Sequence, residues 1–212
     1  MVRKKQQKIV VYFVLSLPSQ GGFSCHVQQI WRTGPRGGPP SFRHLMDTLI
    51  QWNMHGTCVV CRPTETNLIF FLSFYKPIVN ALQETNLGKH HNINCSNYFF
   101  YSTPSIETNG TFHSGTALII DKTVPHKLLT LLSNLQATAA RITSCKTITV
   151  CSIYLPPSQR WEVTALEELY AQLSQPALLG DFNVHSQSWG CQNIDRQCKL
   201  MEDFVLKQNL SY

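Results

Sequence analysis

The sequence predicts a layered α/β domain, on three observations. Short β-rich apolar runs alternate with segments of helical period, a pattern that stacks helices on sheets instead of building a bundle or an all-β barrel. Hydrophobic residues make up 43% and charged residues 14% of the chain, which is apolar enough to fold and too weakly charged to stay mostly disordered. The 212 residues suit one domain with a sizeable core.

Taken in order, residues 1–47 read as an N-terminal extension that ends in a Pro/Gly-rich linker from Gly34 to Pro40 and is expected to be poorly ordered. Its basic start and the apolar run from Ile9 to Leu17 resemble the front of a secretory signal, but no small-x-small cleavage site follows. The extension is therefore expected to be incidental. The domain proper spans 48–212. Residues 49–53 read as a strand that leads into a polar loop at His55-Gly56. Residues 67–75 read as a helix closed by Pro77, and residues 78–83 as a second strand.

Residues 117–120, 137–142 and 147–154 give three further strands, the last two joined by a turn at Ser144-Cys145-Lys146. From Ser158, read as an N-cap, residues 158–173 place Leu166, Leu169, Tyr170 and Leu173 on one helical face. Pro176 marks the exit, and residues 177–179 form a short strand that delivers Asp181 and Asn183. Residues 197–208 repeat the amphipathic pattern through Leu200, Met201, Phe204 and Val205. No internal repeat or low-complexity tract is present.

Charge and cysteine content narrow the function classes only a little. The net charge of +6 attracts polyanions, but Arg3, Lys4, Lys5 and Lys8 supply four of those charges, and a basic balance also serves solubility. Of the eight cysteines, Cys58 and Cys61 make the only close pair, and no second pair with zinc-site spacing follows. Scattered reduced thiols of an intracellular protein are expected. No stretch approaches the ~20 continuous apolar residues of a membrane span, so a soluble protein with no membrane partner is expected.

Polar groups stand just past several apolar strand-like runs: Asn53, Glu84, Tyr154, and Asp181 with Asn183. Strand ends on one rim are where a layered α/β domain builds its pocket. The chemistry these groups suit is cleavage of a phosphodiester. Mg²⁺ takes one or two carboxylates together with water and substrate phosphate, and Glu84 is the best ligand candidate, with Asn53 to hold the metal or the phosphate. Asp181 suits the task of orienting or deprotonating an attacking water, while Asn183 and Tyr154 can hydrogen-bond to developing phosphate charge. Each residue also has a plainer reading. Asp-x-Asn after a strand is often only a turn, Glu84 can be a solvated loop acid, and Tyr154 can simply pack ahead of Pro156-Pro157.

The ordered set Gln51-Trp52-Asn53, Leu82-Gln83-Glu84-Thr85, Ser114-Gly115-Thr116-Ala117, Ile153-Tyr154-Leu155-Pro156-Pro157-Ser158 and Gly180-Asp181-Phe182-Asn183 resembles the endonuclease/exonuclease/phosphatase (DNase I-like) superfamily. The tail, with Trp189-Gly190 and the helix near Leu200, resembles the endonuclease domain of jockey-type non-LTR (LINE) retrotransposons. The resemblance implies a four-layer α/β/β/α sandwich, a divalent cofactor (Mg²⁺, with Mn²⁺ as substitute), and nicking of target DNA in the nucleus to prime a reverse transcriptase in the full-length element. Carried onto matching positions, it makes Glu84 and Asn53 the metal residues, Asn53, Tyr154 and Asn183 the substrate contacts, and Asp181, Asn183 and Tyr154 the catalytic groups.

Three departures from the family pattern stand out. Pro77-Ile78 replaces the usual Pro-Asp, and Arg196-Gln197 replaces Arg-Gly. The family also closes with a Ser-Asp-His motif far downstream, whereas 29 residues follow Asn183 and hold no such motif. The sandwich is therefore expected to be incomplete at the C-terminus, without its final strands and a catalytic Asp-His segment, and His185, His113 and His126 are not evident substitutes. Two other readings follow: a non-enzymatic remnant that binds nucleic acid weakly, and a secreted nuclease or phosphatase of the same fold.

Overall fold

Period-two alternation along the strands and one apolar stripe on each helix sort the side chains into three separate cores. The computed structural model describes residues 11–13, 49–54, 62–91, 93–144, 146–157, 159–184, 196–208 and 210. The Cys58/Cys61 pair, Cys145, Ser158, His185 and Trp189-Gly190 lie outside the described residues, as does the extension apart from residues 11–13. In chain order the elements are β1 (Val11–Phe13), β2 (Leu49–Asn53), α1 (Arg62–Tyr75), β3 (Val79–Gln83), β4 (Tyr98–Thr103), β5 (Ile106–Thr108) and β6 (Thr111–His113). There follow β7 (Thr116–Asp121), β8 (His126–Leu129), β9 (Gln136–Thr143), β10 (Thr147–Tyr154), α2 (Val163–Ala171), β11 (Pro176–Asp181) and α3 (Arg196–Lys207).

One sheet has the order β2-β3-β7-β4 and the other β1-β11-β10-β9-β8. Each contains a parallel pair bridged by a helix: β2 with β3 across α1, and β10 with β11 across α2. The middle core lies between the sheets and gathers Val79, Ala81, Leu118, Ile120, Ala140, Val150 and Leu179. Leu68 and Leu72 of α1 cover the outer face of the first sheet with Leu82, Ala117 and Ile119. Leu166 and Leu169 of α2, with Met201, Phe204 and Val205 of α3, cover the outer face of the second. Three cores between four layers make an α/β/β/α sandwich.

Most of the expected elements are present, with shifted ends. Helix α1 starts five residues earlier than its apolar pattern, with Pro63 in its first turn, where a missing N–H costs nothing. It ends on Lys76 in the left-handed region (φ 45°), whose N–H bonds the Leu72 carbonyl at 2.9 Å. The expected helix from Ser158 is corrected. Helix α2 starts after Glu162, which is extended and makes no side-chain capping bond. A turn in which Gln159 N–H bonds the Pro156 carbonyl, and the burial of Trp161 in the outer core, occupy the intervening residues. The sequence reading did not include β1, which pairs parallel with β11, or β4, β8 and the β5-β6 hairpin. That hairpin turns on Asn109-Gly110, both at positive φ, the pairing that a two-residue turn of this hand requires.

Asn80 sits on the α1-facing side of β3, between Ile50 and Ile119 in the neighbouring strands. It is fully buried, and neither amide atom has a hydrogen-bond partner. A buried unsatisfied amide costs about 1–3 kcal/mol. Asn80→Leu, which keeps the γ-branched outline and removes both polar atoms, is therefore expected to raise the thermal unfolding midpoint, and a lower midpoint would show that the amide is satisfied in solution.

Candidate active site

Two-residue steps carry Leu49, Gln51 and Asn53 of β2, Val150, Ser152 and Tyr154 of β10, and Ala177, Leu179 and Asp181 of β11 into the space between the sheets. Each series starts apolar or neutral and ends at a polar group on its strand's C-terminal residue. Strands β10 and β11 run parallel with Tyr154 opposite Asp181, so both groups arrive at one rim. Glu84 does not follow the alternation. An extended residue after Gln83 would point away with Leu82, but Glu84 takes φ 52° and its carboxylate returns to the rim. There Asn53 Nδ2 donates to Glu84 Oε1 at 2.8 Å and to Asp181 Oδ2 at 2.5 Å. The Tyr154 phenol also donates to the Glu84 carboxylate. Asn183, at φ 47°, bonds Asp181 Oδ1 through its backbone N–H and the Leu155 carbonyl through Nδ2, both at 3.0 Å. All five predicted residues are thus brought together.

Beneath them lies a network that the sequence reading missed. Gln51 Nε2 donates to Gln83 Oε1 at 3.0 Å; Gln83 Nε2 donates to Ser152 Oγ at 2.8 Å and to the Leu179 carbonyl at 3.3 Å. Ser152 Oγ returns to the Leu82 carbonyl at 2.8 Å. These bonds tie the two sheets together one step below the carboxylates. The available signal was the placement of Gln51 and Ser152 two residues before Asn53 and Tyr154. The loop that bears Glu84 is clamped in turn: Thr85 and Asn86 donate their N–H groups to the Gly115 and Ser114 carbonyls. Gly115 stands at φ 87°, and a Cβ there would fall 2.5 Å from Thr85 Oγ1, so the Ser114-Gly115 motif serves as a clamp.

Known proteins resemble this chain in sequence and in fold. Residues 148–212 match the family described as "Endonuclease-reverse transcriptase". Over 158 residues the chain is 29% identical to the RNA-directed DNA polymerase from mobile element jockey of Drosophila melanogaster, covering 73% of this chain and 17% of that polymerase. The chain thus spans about a sixth of the length of that curated relative. Among solved structures, the endonuclease domain of TRAS1, a telomere-specific non-LTR retrotransposon, superposes with a TM-score of 0.56 at 16% identity, covering 75% of this chain and 69% of that one. The fold is DNase I-like. An AP endonuclease from Archaeoglobus fulgidus gives a TM-score of 0.53 at 16% identity, over 77% of this chain and 71% of that one. The four-layer sandwich and the resemblance to jockey-type retrotransposon endonucleases, both expected from the motifs, are borne out.

The donor set at the rim is oxygen-rich: the carboxylates of Glu84 and Asp181, the amides of Asn53 and Asn183, and the Tyr154 phenol. Among the described residues no group of three or more His, Cys, Asp and Glu side chains gathers, and Cys95, Cys151 and Cys198 are buried in the two outer cores. Such a set fits a hard divalent cation and not a thiolate or imidazole site. His126 is engaged elsewhere, bonded to the Tyr101 hydroxyl and the Val124 carbonyl, and His113 lies exposed on β6.

Burial, then the negative charges of Glu84 and Asp181, and the bond to Glu84 all push the Tyr154 phenol above its ordinary value. It therefore stays a proton donor through the neutral range. The raised folded-state value also links to stability: the contribution is full below the ordinary tyrosine value of about 10 and is lost as pH rises through the folded value. Thermal midpoints measured across the alkaline range are expected to fall more steeply for the wild type than for Tyr154→Phe; equal slopes would contradict this environment.

Gly180 delivers Asp181 through a contact that leaves no room for a side chain. A Cβ there would lie 2.4 Å from Ile153 Cγ2 and 2.5 Å from the Ile153 carbonyl oxygen. Gly180→Ala is expected to cost about 1–3 kcal/mol in chemical denaturation, and an unchanged denaturation midpoint would show that the strands part without cost.

Proposed function

We propose that the rim site is a divalent-metal-dependent phosphodiesterase centre that nicks one strand of target DNA, as an endonuclease-type domain of a non-LTR retrotransposon. The observation that carries this reading is the Asn53 amide bonded at once to the carboxylates of Glu84 and Asp181, with Tyr154 and Asn183 beside them. Glu84 and Asn53 Oδ1 would hold Mg²⁺, or Mn²⁺ in its place, which supplies charge stabilisation to the phosphate. Asp181 orients the attacking water and accepts its proton. Oxygen from that water bonds to phosphorus, the bond to the leaving sugar oxygen breaks, and that oxygen takes up a proton. Tyr154, kept protonated by its surroundings, donates to a non-bridging phosphate oxygen. Asn183 gives one amide hydrogen to the Leu155 carbonyl, and its second is available to the developing charge.

The substrate in this reading is nuclear DNA, and the partner is a reverse transcriptase of the same element, which extends the nicked end. The D. melanogaster relative is by name an RNA-directed DNA polymerase, which supports that pairing. Relaxation of supercoiled plasmid in Mg²⁺ tests the centre. Asp181→Ala and Glu84→Gln are each expected to slow nicking by about 10²–10⁴-fold. Undiminished nicking by Asp181→Ala would sink the assigned site, and salt-dependent DNA binding without any nicking would replace it with a non-enzymatic DNA binder.

A further inference from the structure

On the same rim, on the side of Tyr154 away from Asp181, a cavity of about 340 Å³ opens between the edge strands β4 and β8. Strand register places it against the site. Gln136 opens β9 directly opposite Tyr154, and its chain neighbours Leu135 and Ala137 both line the cavity. Adjacent strands lie about 4.8 Å apart, so the cavity starts within a nucleotide's reach of the Tyr154 phenol.

The lining decides what the cavity accepts. Leu128, Leu129, Leu131 and Leu135 supply apolar walls, and Thr103 and Thr138 close the inner end. No lining residue is Asp, Glu, Lys, Arg or His, so a phosphate would lose its hydration there without a counter-charge. An uncharged planar group fits both the walls and the volume. Hydrogen-bonding capacity for such a group is also present. The Thr103 N–H bonds Thr138 Oγ1 at 3.1 Å and not β7, so strand alternation turns the backbone N–H and carbonyl of Tyr101 to the same open edge. The outer wall, residues 130–135, is fixed from α2: Leu132 N–H donates to Gln172 Oε1 at 2.8 Å, and Gln172 Nε2 donates back to the Leu132 carbonyl at 3.0 Å.

We propose that this cavity seats a nucleobase of the DNA strand whose phosphodiester lies against Tyr154, one position from the cut. The proposal rests on the phosphodiesterase reading of the neighbouring site. It gives the domain a base-dependent contact on the β9 side of the carboxylates, with the 130–135 wall as its selectivity element.

The test uses the full chain and duplexes in which 2-aminopurine, or an abasic residue, replaces each base around a nick site in turn. In metal-free buffer, 2-aminopurine emission is expected to rise at one position only, and Leu131→Trp, which narrows the cavity, and Gln172→Ala, which frees its wall, are expected to abolish that rise. In Mg²⁺ the abasic substitution at that position is expected to lower kcat/KM about 10-fold, mainly through KM, in the wild type and not in Leu131→Trp. Thermal melts confirm that each variant is folded, and Gln172→Ala carries the test if Leu131→Trp is not. An emission rise that both variants retain, or an equal abasic penalty in wild type and Leu131→Trp, overturns the proposal. Nicking with no emission change at any position also overturns it and leaves the phosphodiesterase reading intact. An emission rise that the variants remove, with no nicking by the wild type, supports the base seat and overturns the phosphodiesterase reading.

Discussion

The structure depends on one amide. Asn53 ends the innermost polar series of β2 and donates from a single nitrogen to carboxylates that come from the two different sheets. The buried carboxylate of Asp181 and the half-buried one of Glu84 would repel each other across the inter-sheet gap if nothing stood between them. With the amide in place they share a donor, and the rim can hold both. The packing is arranged to support that contact: Gly180 lets β11 close against Ile153 so that Asp181 reaches the amide, and the Ser114-Gly115 clamp fixes the loop from which Glu84 reaches it.

Much of this was legible because it follows from period. The apolar stripes of α1, α2 and α3, and the alternation along β3, β9 and β10, announced a layered fold, and residues placed just past those runs proved to share a rim. Less was legible where local conformation overrides period. Glu84 meets Asn53 only because its backbone turns left-handed, a fact that no count of spacing contains. The start of α2 was misplaced because serine is a good cap by composition, while ahead of the helix the Gln159 N–H bonds the Pro156 carbonyl and Trp161 is buried.

Edge strands were the other blind spot. β4 carries aromatic and hydroxyl residues that are half-buried on both faces, so the contrast on which strand reading relies is missing. β8 is four residues long and mostly uncovered. By contrast, Asn109-Gly110 was a readable hairpin signal that the apolar pattern around it did not advertise, since its flanking strands are three residues each. The Gln51, Gln83 and Ser152 network was also written in the sequence, but a buried glutamine looks like any other until its partner strand is known.

That network has a further meaning for how the protein would behave in changing solution. The bonds linking Gln51, Gln83, Ser152 and the Leu82 and Leu179 carbonyls are neutral and buried, so mobile ions do not screen them as they screen exposed charges. The separation of the carboxylates is set by this uncharged gauge and not by the surface charge of the chain. Ionic strength would then govern how readily a polyanion arrives, while the aperture it meets stays the same width.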